Sequence, residues 1–154
     1  MLPNHEIQSP AEDCVIISTR SFNYSREKVF GAWKKPEYLK TWWGPKGFTN
    51  TFQEFSFTEG GRWKFIMHGP DGANYDNEST FIKIEEPSLI VFNHIVSPLF
   101  QVQASFDGDE TQTKLTFKMI FLSADLCEQL KPICMPSNEE NFDRLDAVLQ
   151  KMAQ

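Results

Sequence analysis

What the chain lacks narrows its chemistry before anything it contains. Only three cysteines occur in 154 residues, Cys14, Cys127 and Cys134. No CxxC pair is present, and the Cys127–Cys134 spacing fits no common metal pattern, so neither a disulfide scaffold nor a metal site is expected. Reduced thiols in a reducing compartment are the simplest reading. Basic residues are sparse: 15 Lys and Arg against 21 Asp and Glu give a net charge of −6, with Lys34-Lys35 the densest cationic run. Such a surface repels nucleic acid and anionic membranes, and neither is an expected partner. No apolar run approaches the roughly 20 residues needed to span a bilayer. The opening MLPNHEIQSP has neither the charged nor the apolar region of a signal peptide, so a cytoplasmic location is expected. GxSxG, HExxH, P-loop and dinucleotide fingerprints are all missing, and no cofactor is implied.

Aromatic side chains are what the sequence has in excess. They make up 14% of residues, with 14 Phe and four Trp, in a composition that is 40% hydrophobic and 23% charged. Large rings fill wide spaces or line them. A domain of about 150 residues buries roughly 70% of its unfolded surface, enough for one real core. Residues 1–13, polar with two prolines, read as a flexible arm, and 14–154 as a single domain.

Local patterns give an α+β order. The segment from Cys14 to Phe22 is rich in β-branched residues and reads as a strand. Ser25 can cap a helix carrying Val29, Phe30 and Trp33 on one stripe. Pro36 suits the first turn of a second short helix reaching Trp42. Six strands are then expected near 48–57, 61–68, 75–85, 88–96, 100–107 and 112–121. The clearest alternations are Phe100, Val102, Ala104, Phe106 and Leu115, Phe117, Met119, Phe121, each with polar residues between, as in an antiparallel sheet covered on one face. Pro70-Asp71-Gly72, Glu86-Pro87-Ser88 and Asp107-Gly108-Asp109 supply turns. Ser123 can start a short helix over 123–131, which Pro132 and Pro136 are expected to break. A last helix then starts at Ser137, whose spacing to Glu140 is that of a capping box. That helix puts Phe142, Leu145, Val148, Leu149 and Met152 on its apolar face and turns Asn138, Glu139, Asp143 and Lys151 away. A curved sheet needs its apolar face covered, and this helix is the long amphipathic element available to do it.

A resemblance enters with specific residues. Trp42-Trp43-Gly44-Pro45-Lys46-Gly47-Phe48, then Gly60-Gly61-Arg62-Trp63-Lys64-Phe65, then Met67-His68-Gly69-Pro70-Asp71-Gly72 resemble the SRPBCC superfamily (START-like, Bet v 1-like). Within it they are most similar to the activator of heat shock protein 90 ATPase homologue family. Phe30-x-Ala32-Trp33, the run from Pro36 to Trp43 and Asp143-Arg144-Leu145 fit the same family. The resemblance implies a helix-grip fold: a curved antiparallel sheet of about seven strands wrapped around a long C-terminal helix, with a cavity between them. The family commonly carries Gly-Trp where this chain has Ser137-Asn138, and losing a large ring there would change the rim or volume of that cavity. Superfamily members include lipid carriers, aromatic-ligand binders, cyclases and chaperone partners, and fold alone does not choose among them.

Three functions are therefore weighed. The first is binding of a small hydrophobic or aromatic molecule, with Trp42, Trp43, Phe48, Trp63, Phe65, Met67, Phe92, Phe117, Met119 and Phe142 as the wall. His94, in step with Ile90 and Phe92, would add a polar contact. Trp42, Trp43 and Phe48 read as a packed plug or as a gate over the cavity mouth. The second is contact with a chaperone ATPase, which the family name suggests. The third is a cyclase or dehydratase, which needs an inward acid–base pair. His94 and Glu78 are the candidates, with Asn77 as a hydrogen-bonding alternative, and opposite orientation of the pair would remove that chemistry. His68 beside the Pro70–Gly72 turn, near Asp71 and Asp76, reads as a turn-stabilising side chain, with a metal or general-base role as the alternative.

Overall fold

The computed structural model describes residues 15–152; the expected arm over 1–13, and Cys14, lie outside the described residues. Strand β1 (Val15–Phe22) leads into α1 (Arg26–Lys34) and α2 (Pro36–Trp42). Ser25 caps α1 by accepting from the Lys28 amide at 3.1 Å, and Pro36 occupies the first turn of α2. Six strands follow: β2 (Thr49–Phe55), β3 (Arg62–His68), β4 (Asn74–Glu85), β5 (Leu89–His94), β6 (Phe100–Gly108) and β7 (Thr113–Phe121). All pair antiparallel in the order β1-β7-β6-β5-β4-β3-β2, and helix α3 (Ala124–Met152) lies against them. This is the helix-grip architecture expected from the sequence.

The alternating strands do what period-two patterning requires. Val102, Ala104 and Phe106 of β6 and Leu115, Phe117 and Met119 of β7 are buried on one face. Phe142, Leu145 and Leu149 of α3 join the same core.

Two local readings fail. The break expected at Pro132 and Pro136 does not occur: α3 is one helix of 29 residues with both prolines inside it. Proline removes an amide and crowds the carbonyl four residues back, which normally costs about 3 kcal/mol. Here Glu128, Pro132 and Pro136 are spaced by four, and all three are exposed. The freed carbonyls therefore lie on the water-facing side, while the opposite face packs. Ser123 caps this helix, accepting from the Leu126 amide at 3.0 Å, and Ser137 sits mid-helix instead of capping.

Strand β4 does not keep one parity along its length. Phe81 pairs with Phe92 but Lys83 pairs with Val91, so Ile82 is an extra residue in a β-bulge. The inward position for Glu78 that the acid–base pair needs would follow from unbroken alternation back from Ile84, and the bulge removes it. Asn77, Ser79 and Phe81 share the inward side, and Glu78 faces out between Arg62 and Lys64 of β3.

Candidate ligand cavity

The space between the sheet and α3 is filled at one end and hollow at the other. At the filled end, α1 and α2 deliver Trp33 and Trp42 against the sheet. Trp42 is fully buried, and its indole N–H donates to the Ala32 carbonyl at 3.0 Å. Trp63 stacks on Phe65 at 4.6 Å between ring centres and meets Phe92 edge-on at 5.4 Å. Trp43 touches Trp33, Trp42, Trp63, Phe92 and Phe117, with ring centres 5.0–6.3 Å away. These spacings are those of favourable offset and edge-to-face pairs.

Beyond Trp43 and Phe117 the interlocked tryptophans end and a cavity of about 280 Å³ opens. Phe100 and Val102 of β6, and Met119 and Phe121 of β7, form its floor. Leu130, Cys134, Ser137, Asn138 and Asn141 of α3 form its roof, and Gly44, Pro45, Met67 and Pro98 close its side. Gly44 is required there: its φ is +98°, and a Cβ would stand 2.8 Å from Met67 Cε.

The expected site residues divide into four groups. Trp43, Met67, Phe117 and Met119 line this cavity. Trp42, Trp63, Phe65 and Phe92 belong to the packed end and are at most 2% exposed. Phe142 is buried against Phe22 and Phe117, with the Arg20 guanidinium over its ring at 5.6 Å. Phe48 and His94 line a separate, open cleft together with Tyr75 and Asn77, which meets the cavity only at Met67 and Pro98.

His94 is 7% exposed and stacks on Phe100 at 4.6 Å. Its Nδ1 lies 2.8 Å from the Pro98 carbonyl, and its Nε2 lies 2.8 Å from Asn77 Oδ1. A neutral ring has one N–H for these two oxygens. Burial lowers its pKa below the ordinary histidine value, against the opposing pull of the Pro98 and Val96 backbone. Glu78 lies on the other face, 3.2 Å from Arg62, so the acid–base pair weighed from the sequence is not assembled. His68 bridges Thr51 and Asn74 at 2.7 Å each, holding three strands together near the turn.

Sequence reasoning missed three polar residues of α3. Asn138 was expected to face solvent, yet it is 7% exposed and donates to Ser18 Oγ at 3.1 Å. The reason is visible in hindsight: Asn138 precedes Phe142 and Leu145 by four and seven residues, so it lies on the apolar stripe. Asn141, also 7% exposed, accepts from the Gly44 amide at 3.1 Å. Arg144 donates to the carbonyls of Thr41, Gly44, Pro45 and Phe48 at 2.9–3.0 Å and of Trp43 at 3.4 Å. Its fork ties the segment 41–48, which carries the cavity's side wall, to α3. Burial lowers the guanidinium pKa from its ordinary value. Cys134 at the roof has its thiol pKa raised by burial and by the nearby Cys127, so it stays protonated.

Among the described residues, no helix is long and apolar enough to cross a membrane. Residues 23–150 match the family model described as Activator of Hsp90 ATPase homolog 1-like protein. A solution structure of a protein from Arthrobacter aurescens superposes with a TM-score of 0.84 at 24% identity, covering 95% of this chain and 91% of that one. The AHSA1 protein from Silicibacter pomeroyi gives 0.73 at 17% identity, over 90% and 99% of the two chains. The AHSA1-like protein from Aeromonas hydrophila gives 0.71 at 18%, over 90% and 94%. At these identities the likeness shows the fold. No curated protein matches the chain.

Proposed function

The chain belongs to the Activator of Hsp90 ATPase homolog 1-like family of the SRPBCC superfamily, and on that premise we propose that it holds a small hydrophobic or aromatic molecule between α3 and the sheet. The observation that carries this reading is the cavity of about 280 Å³, bounded by apolar side chains from β6, β7 and α3. An engineered apolar void of about 150 Å³ stays dry and takes up benzene, so a larger apolar one has room for one or two rings. Burial of apolar surface, at about 25 cal/mol per Å², supplies the drive. Fixing the ligand offsets part of it. Met67 and Met119 let the wall adapt, since the thioether side chain is flexible and polarizable.

The test is native mass spectrometry of freshly purified protein, with denaturing extraction of whatever is bound. A stoichiometric apolar adduct is expected. A bare mass that persists after incubation with a panel of one- and two-ring aromatics contradicts the proposal. Contact with a chaperone ATPase is the alternative. It rests on the family's description, and co-purification with such a chaperone from a stoichiometric mixture would favour it.

A further inference from the structure

The roof of the cavity is not uniformly apolar, and its polar atoms are directional. Asn141 Oδ1 accepts from the Gly44 backbone amide, a bond that fixes the amide's orientation because a backbone N–H can only donate. Its Nδ2 is thereby left without a hydrogen-bond partner among the described residues, in a side chain that lines the cavity and is 7% exposed. Asn138 has the complementary arrangement. Its Nδ2 donates to Ser18 Oγ at 3.1 Å and lies 3.7 Å from Met119 Sδ, and its Oδ1 has no partner among the described residues. Asn138 and Asn141 are three residues apart on one helix, where side-chain origins are about 5–6 Å apart. The roof thus offers one donor and one acceptor within reach of a single small polar group.

Both atoms are open to the cavity, so a ligand that displaces water from them without replacing its hydrogen bonds leaves them unsatisfied, and one that makes both bonds is favoured. None of the residues lining the cavity is charged, and Cys134 stays a neutral thiol. A carboxylate or ammonium would therefore enter without a counter-charge, which a low-dielectric pocket penalises. The sulfur atoms of Met67, Met119 and Cys134 and the rings of Trp43, Phe100 and Phe117 favour an aromatic body.

Resting on the cavity reading above, we infer that the ligand class is a neutral hydroxyaromatic of one or two rings. Its hydroxyl donates to Asn138 Oδ1 and accepts from Asn141 Nδ2. The ring lies over the β6–β7 floor, against the Trp43–Phe117 boundary.

The experiment is a titration of the full chain at neutral pH, followed calorimetrically, with three probes of matched shape: naphthalene, 2-naphthol and 2-naphthoate. The order expected is 2-naphthol tightest by about tenfold over naphthalene, equivalent to about 1.4 kcal/mol, with 2-naphthoate weakest. Asn138→Leu is expected to remove the tenfold preference while leaving naphthalene affinity within about threefold. Equal binding of naphthol and naphthalene by the wild-type chain overturns the hydroxyaromatic assignment and leaves the apolar cavity standing. Tightest binding of naphthoate overturns the neutrality argument. Failure of all three to bind overturns the cavity reading itself. Because the wild-type order alone decides the matter, a variant that does not fold leaves the test intact.

Discussion

The two ends of the space beneath α3 are walled by similar kinds of side chain and are packed differently. At the α1–α2 end, Trp33, Trp42, Trp63, Phe81, Phe92 and Phe106 are each at most 2% exposed and interlock ring against ring. At the other end, Val102, Met119, Leu130 and Cys134 supply smaller or more flexible groups, and a void remains. The crowding is strong enough to leave the indole N–H of Trp33 and of Trp63 buried without a partner among the described residues. The filled end thus holds the fold together, and the hollow end is free to accommodate something else. A boundary made by Trp43 and Phe117 belongs to both.

Mutations at the two ends should therefore differ in size. Trp63→Ala, in the filled end, should cost about 3–5 kcal/mol, as large-to-small core changes do, with a matching drop in the urea midpoint. Arg144→Ala should come next. It removes the donors for the carbonyls of segment 41–48, and about 2–3 kcal/mol is expected from the loss of charge-assisted hydrogen bonds. Amide exchange confined to residues 41–48 should rise by more than the global change requires. Arg144→Lys should rescue only part of this, because an ammonium lacks the planar fork.

Leu130→Trp, at the hollow end, should change stability by no more than about 1 kcal/mol, since the added ring enters existing space. It should nevertheless abolish uptake of aromatic probes by calorimetry. If it destabilises as much as Trp63→Ala does, the two ends are equivalent and the contrast fails.

The smallest effect is electrostatic. The folded-state pKa of His94 lies below its unfolded value of about 6.5. The unfolded chain then binds more protons just beneath pH 6.5. The contribution of His94 is intact above that value, falls as pH drops toward the folded pKa, and levels off below it. His94→Gln should flatten this component, read as the wild-type-minus-variant difference in urea stability between pH 7 and pH 5.

The same contrast explains what could be read from sequence. The sheet was legible because period-two alternation in Phe100–Phe106 and Leu115–Phe121 leaves one register that buries the apolar set. The two short helices were legible from Ser25 and Pro36. The continuity of α3 was not, because whether a proline breaks a helix depends on where its freed carbonyl points. The face of Glu78 stayed open because the bulge at Ile82 leaves no mark in composition. The filled end announced itself as a density of Trp and Phe. The hollow end is an arrangement of single residues from separate strands and a helix, defined by volume that is left over, so no local pattern records it. Asn138 and Asn141 carried the one available signal, an amide on an apolar stripe.

The most direct test of the account is a crystal of the protein pressurised with xenon. An atom-sized apolar void takes up this gas without any requirement for the true ligand. The account predicts a xenon site bounded by Val102, Met119, Leu130 and Cys134, with none among Trp42, Trp63 and Phe92. Xenon absent from the first place, with Met67 and Met119 found collapsed into it, would contradict a ligand-holding cavity.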